Sequence, residues 1–213
     1  MIGNYKNAGK EWRPKYSPQE VNAHDFPDPK VPKASPYGVY DLTKNEGWVS
    51  VGVSHDTAEF AVATINKWWV KMGKERYPEA RMIYITSDSG GSNSRRSRLW
   101  KMELQRLSDN LGLDIHVSHF PPCTSKWNKI EHKMFSYISI NWKGHPLTTY
   151  NVIVNLISNT TTATGLEIRA EMDKKTYEKG IKISDEEFKT LKLRECSFHG
   201  EWNYIIKSRI KNV

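Results

Sequence analysis

Strand-length apolar runs alternate with segments of helical periodicity through the middle of this chain, and that alternation restricts it to a layered α/β fold. Tyr37-Gly38-Val39-Tyr40-Asp41-Leu42 and Trp48-Val49-Ser50-Val51-Gly52-Val53 flank the turn residues Asn45-Glu46-Gly47, which predicts a β-hairpin. Asp56 offers a helix cap. Phe60, Ile65, Trp68 and Trp69 then recur near helical spacing between Thr57 and Met72, so an amphipathic helix is expected to pack on the hairpin. Met82 to Ser87 reads as a buried strand. Arg95 to Leu111 carries Leu99, Met102, Leu107 and Leu111 on a helical pattern that Gly112 closes. Asp114 to Phe120 alternates as a short strand, Pro121-Pro122 force a loop, and a helix bearing Glu131 follows. Tyr150 to Asn159 is a further helix, burying Val152, Ile153, Leu156 and Ile157.

The 213 residues suffice for one large domain with an extension. Residues 1–35 read as an irregular arm rich in Pro, Lys, Asn and Asp, 36–165 as the α/β core, and 166–213 as a basic extension. That extension holds a capping box at Ser184-Asp185-Glu186-Glu187 and an apolar finish at Trp202 to Ile206. The formal charge of +8 is spread along the chain, which favours a polyanionic partner over a small neutral ligand. Cys123 and Cys196 make neither a disulfide scaffold nor a Cys-x-x-Cys metal site, and fit a reducing cytoplasm. His116 and His119 are three apart on a strand and face opposite ways, which argues against a zinc site with Cys123. No apolar run approaches the ~20 residues of a membrane span, and the polar start is no signal peptide, so a soluble intracellular protein is expected.

Two acids carry the chemistry. Asp88 ends the run Met82-Ile83-Tyr84-Ile85-Thr86 and opens Ser89-Gly90-Gly91-Ser92-Asn93, the position at the carboxyl end of a strand where open α/β sheets build their sites. Glu131 lies in Trp127-Asn128-Lys129-Ile130-Glu131-His132, one turn into its helix, and faces the same sheet edge if the proline loop folds the helix back. Paired carboxylates suit a hard divalent cation such as Mg²⁺, and two such ions support in-line phosphodiester displacement. Taken singly, Asp88 reads more readily as a turn former or helix cap and Glu131 as a solvated helix charge; their position and pairing carry the argument. For phosphate contact the candidates are Arg95, Arg96, Arg98 and Lys101 at the start of the helix after Asp88, with Lys126, Trp127 and Lys129 beside Glu131. Trp127 either stacks on an unpaired base or anchors its loop in the core, and the core is preferred. The remaining Trp and Tyr residues are most simply core.

Longer strings are more specific. Gly3-Asn4-Tyr5-Lys6-Asn7-Ala8-Gly9-Lys10-Glu11-Trp12, Pro36 to Asp41, Asp88 to Asn93, Pro121 to His132 and His199-Gly200-Glu201-Trp202-Asn203-Tyr204, in that order, resemble bacterial insertion-sequence DDE transposases of the Rhodopirellula type, related to mariner-like elements. The resemblance implies a ribonuclease-H-like catalytic core, one mixed sheet with flanking helices, Mg²⁺ or Mn²⁺, and cleavage and strand transfer on DNA, with transposon ends and target DNA as partners; whether copies of the chain associate stays open. It also implies that Asp88 is the second acid of the triad and Glu131 the third. In the family the first acid lies on a central strand ahead of the segment that here begins Ile2-Gly3-Asn4, so this chain is expected to be truncated at its front, to lack that strand and to act weakly. Asp25, Asp28 and Asp41 are the acids near enough to be weighed as substitutes, and turn chemistry accounts for Asp41. Two other function classes stay open: a non-catalytic DNA-binding remnant, and a ribonuclease-H-like nuclease without strand transfer.

Overall fold

A computed structural model of the chain describes residues 1–22 and 31–210. In chain order the elements are β1 (Ser35–Asp41), β2 (Glu46–Gly52), α1 (Ala58–Trp68), α2 (Lys74–Arg76), β3 (Met82–Ser87), α3 (Arg98–Leu111), β4 (Asp114–His119), α4 (Ser136–Asn141), α5 (Tyr150–Ser158), β5 (Glu167–Asp173), α6 (Asp185–Lys189), β6 (Leu193–Glu195) and β7 (Asn203–Ile206). A π turn, Trp69–Gly73, joins α1 to α2, and a second, Glu131–Phe135, leads into α4. The chain forms two compact units, Met1–Ser54 with Lys129–Thr176 and His55–Asn128 with Tyr177–Val213. Each holds its own mixed sheet, ordered β1-β2-β5 and β3-β4-β7-β6, where a single sheet was expected.

In the first unit the expected hairpin is present, antiparallel, with Tyr37 opposite Ser50 and Val39 opposite Trp48. Its turn is fixed by Asp41, whose Oδ1 accepts from the amides of Thr43 (2.9 Å) and Lys44 (3.1 Å). β5 adds parallel to β2. Its strand character was missed because Glu167, Arg169 and Glu171 alternate with Ile168, Ala170 and Met172 in a stretch that reads as merely basic and polar. The helix α5 packs on β5 and β2 through Ile153 and Ile157, and the core continues through Val49, Val51, Met134, Ile138, Leu166 and Ile168. Gly38 and Gly47 open the slot for Met134: an added Cβ would come within 2.6 Å of Met134 Cε at the first and 2.4 Å of its Sδ at the second.

In the second unit β3 and β4 run parallel, Met82 opposite Asp114 and Ser87 opposite His119. β7 joins β4 antiparallel and β6 joins β7. Alternation sorts β4 cleanly: Ile115, Val117 and His119 are buried, while Asp114, His116 and Ser118 lie on the other face. The two histidines are therefore separated as expected, and His116 Nε2 meets Cys196 Sγ at 3.6 Å instead. The helix α1 packs on α3, and each carries a buried apolar face, Phe60, Ile65 and Trp68 on α1 and Trp100, Leu104 and Leu107 on α3. Its cap is Thr57, whose Oγ1 accepts from the Phe60 amide at 3.3 Å, and Asp56 is left exposed outside the helix. At α6 the expected capping box is complete. No described helix is long and apolar enough to cross a membrane.

Candidate active site

Asp88 follows directly on β3, so its backbone leaves the sheet at the carboxyl end of a strand that is parallel to its neighbour. A buried relay holds that point. His119 Nδ1 lies 3.1 Å from the Asp88 carbonyl oxygen and 3.1 Å from Ser87 Oγ, and its Nε2 lies 3.0 Å from the Tyr204 hydroxyl. The Trp100 indole N–H donates to the same hydroxyl at 3.0 Å. The Asp88 carbonyl can only accept, which assigns the ring proton to Nδ1 and leaves Nε2 to accept from Tyr204. Trp100, Tyr204, His119 and Asp88 thus form one directed chain of hydrogen bonds. Burial lowers the His119 pKa, and Lys101 and Arg95 push the same way against the opposing Asp88 carbonyl and carboxylate, so the ring is neutral at pH 7. Burial raises the Tyr204 pKa, keeping its hydroxyl protonated.

The Asp88 carboxylate itself is exposed. The loop beyond it is pinned by Ser89, whose Oγ accepts from the Arg95 amide at 3.2 Å, and by Ser97, which caps α3 through the Trp100 amide at 3.2 Å. Asp56 also reaches this loop, its Oδ2 being 3.9 Å from where a Cβ on Gly91 would stand.

Glu131 belongs to the first unit and opens the π turn that leads into α4. Ile130, Met134 and Ile138 recur every four residues and pack in the core, which leaves Glu131 on the exposed side. Asp88 and Glu131 therefore sit on different units, each placed by its own packing. Both present oxygen donors that suit a hard divalent cation. Among the described residues no three His, Cys, Asp or Glu side chains gather closely enough to hold a metal ion. Of the acids weighed as substitutes, Asp41 is committed to the hairpin turn, and Asp25 and Asp28 lie outside the described residues.

The basic residues separate into struts and exposed charges. The Arg98 guanidinium meets Asp185 at 2.6 Å and lies over the Phe188 ring at 5.0 Å, tying α3 to α6. Arg95 stacks 4.0 Å above the Trp202 ring. Lys101 is half-buried over Tyr204 at 5.1 Å; burial lowers its pKa, Glu195 raises it and Arg95 lowers it. Arg96, Lys126 and Lys129 are exposed. Trp127 is 51% exposed on the short 3-10 turn Ser125–Trp127, so it does not anchor its loop in the core; the buried residue there is its neighbour Asn128.

Sequence reasoning missed the relay behind Asp88. One signal was available: His119 occupies an inward position of an alternating strand, and an inward polar side chain requires partners. Those partners, Trp100 and Tyr204, come from distant parts of the chain, and spacing does not reveal them.

The sequence profile of the family described as Rhodopirellula transposase DDE domain matches residues 1–208. No curated protein and no solved structure matches the chain. A match over nearly the whole length settles membership: the chain belongs to the Rhodopirellula transposase DDE domain family.

Proposed function

We propose that this chain is a DNA-acting transposase domain in which Asp88 and Glu131 are metal-ligating acids, for Mg²⁺ or Mn²⁺, in phosphodiester cleavage. The observation that carries the reading is the relay that fixes the backbone of Asp88 at the carboxyl end of β3. A buried, fully partnered polar chain behind an exposed carboxylate is a means of holding one acid in place. The hairpin followed by a parallel strand pair with an acid at its end also supports a ribonuclease-H-like arrangement.

A divalent ion bound by these acids would supply Lewis-acid chemistry, activation of the attacking oxygen and neutralisation of charge on the phosphate. The chain's own residues do the rest. Asp88 and Glu131 supply carboxylate oxygens, His119 holds the Asp88 carbonyl, and Arg96, Lys126 and Lys129 offer exposed cations for DNA phosphates.

The test incubates the chain with labelled duplex DNA carrying the element's ends, in Mn²⁺. Nicking above background that both Asp88→Asn and Glu131→Gln abolish supports the reading. Nicking that neither substitution changes contradicts the assignment of these acids. DNA binding without any nicking makes the chain a non-catalytic DNA-binding domain.

A further inference from the structure

The N-terminal arm, expected to be irregular, is stapled at its base and bare at its tip. Tyr5 pairs with Asn22, and the Asn22 amide donates to the Asn4 carbonyl at 2.8 Å while the Lys6 amide donates to the Asn22 carbonyl at 3.0 Å. These bonds close the intervening residues into one loop. The loop's entry is fastened to the turn after α4. Asn7 Nδ2 donates to the carbonyls of Trp142 (3.0 Å) and His145 (3.2 Å), the Gly144 amide donates to the Ala8 carbonyl at 2.8 Å, and His145 Nε2 lies 3.2 Å from Glu11 Oε1. Gly144 is required here: its φ is +80°, and an added Cβ would come within 2.9 Å of the Glu11 amide nitrogen.

Beyond Glu11 the chain stands in solvent. Trp12 is 99% exposed and Tyr16 is 89% exposed. The tip is a turn closed by the Ser17 amide on the Pro14 carbonyl at 3.1 Å, and within it Tyr16 takes φ +67°, a left-handed conformation unfavourable for an aromatic residue. Lys10, Arg13 and Lys15 lie close to these residues in the chain; Lys15 sits 4.9 Å over the Tyr16 ring, and Arg13 pairs with Glu11 at 2.7 Å. Two highly exposed aromatic rings with the exposed cations Lys10 and Lys15 beside them, on a loop whose ends are tied down, match the chemistry of an unpaired nucleic-acid strand: π-faces for bases and cations for phosphates. A protein partner that buried these rings would favour fewer lysines around them.

We propose that the loop Lys10–Ser17 is a DNA contact that stacks unpaired bases on Trp12 and Tyr16 and carries the adjoining phosphates on Lys10 and Lys15. It rests on the DNA-acting reading above and adds a second contact surface, for strands opened at a cut or frayed end.

The test measures fluorescence anisotropy of a labelled oligothymidylate of about 15 nucleotides, and of a blunt duplex of the same length, across a salt series with the full chain. Trp12→Ala with Tyr16→Ala should weaken oligothymidylate binding about tenfold or more, leave the salt slope unchanged and spare the duplex; Trp12→Phe with Tyr16→Phe should restore most of the loss. Replacing Lys10 and Lys15 by Ala should instead make the slope shallower by about 1.4. Oligothymidylate binding within about twofold of the unaltered chain after Trp12→Ala with Tyr16→Ala would overturn the proposal. So would a dimer, seen by sedimentation, that the same pair dissociates, because the loop would then be a contact between copies. An unaltered chain that binds neither DNA overturns the DNA-acting reading as well, whereas binding that ignores the loop substitutions overturns the loop alone.

Discussion

The two acids are positioned by opposite means. Asp88 sits at a strand end whose carbonyl is gripped by a polar relay of Trp100, Tyr204 and His119, every member buried. Glu131 opens a π turn whose apolar neighbours pack in the core, with Met134 filling the slot that Gly38 and Gly47 leave in the hairpin. Hydrogen bonds have direction, so the relay fixes Asp88 only while His119 keeps its proton on Nδ1. Apolar packing has no direction, so Glu131 depends on volume and tolerates changes of polarity nearby.

If that contrast is right, the largest stability effect belongs to the apolar side. Met134→Ala empties the slot and should cost about 2–5 kcal/mol, read as a shift in the urea midpoint. A loss below about 1 kcal/mol would mean the hairpin collapses onto the space and that Glu131 is less firmly placed than packing indicates.

Tyr204→Phe probes the polar side. It strips partners from the Trp100 indole and from His119 Nε2 at once, at roughly 1–3 kcal/mol for each buried group left unpaired. Near-native thermal stability would show that water replaces the hydroxyl and that the relay is not directional.

A smaller effect follows from pH. The His119 pKa is lowered in the fold, so between that value and its unfolded value of about 6.5 the unfolded chain binds more protons than the folded one. Stability should therefore be fully present above pH 6.5 and fall as the solution is acidified below it. The fall should shrink in His119→Asn, which keeps a donor near the Nδ1 position and cannot titrate. An identical acid slope in both proteins would place the sensitivity elsewhere. Smallest of all, Arg98→Ala should cost under about 1 kcal/mol, because its pair with Asp185 is exposed, and should leave the salt slope of DNA binding unaltered, because that side chain is already occupied.

The same contrast explains what was legible beforehand. The hairpin, β3, α3, β4 and α5 were readable because their apolar residues recur at the period of a single local element, and the two acids were readable because each adjoins such an element. The strand β5 was not, since it alternates charged and apolar residues within a polar stretch. The division into two sheets was not either, because pairing partners such as β7 and β4 are chosen by contacts far apart in the chain. Asp88 was found from its neighbours, but the relay that holds it joins residues 88, 100, 119 and 204, and no local pattern links them.

The most direct measurement is Mn²⁺ binding followed by electron paramagnetic resonance, on the unaltered chain, on Asp88→Asn and on Glu131→Gln, each checked for unchanged melting. The account predicts that the unaltered chain takes up Mn²⁺ and that each substitution weakens uptake by at least about tenfold, in line with the loss of a carboxylate ligand. Uptake that is the same in all three proteins would contradict the claim that these two acids form the metal-binding site.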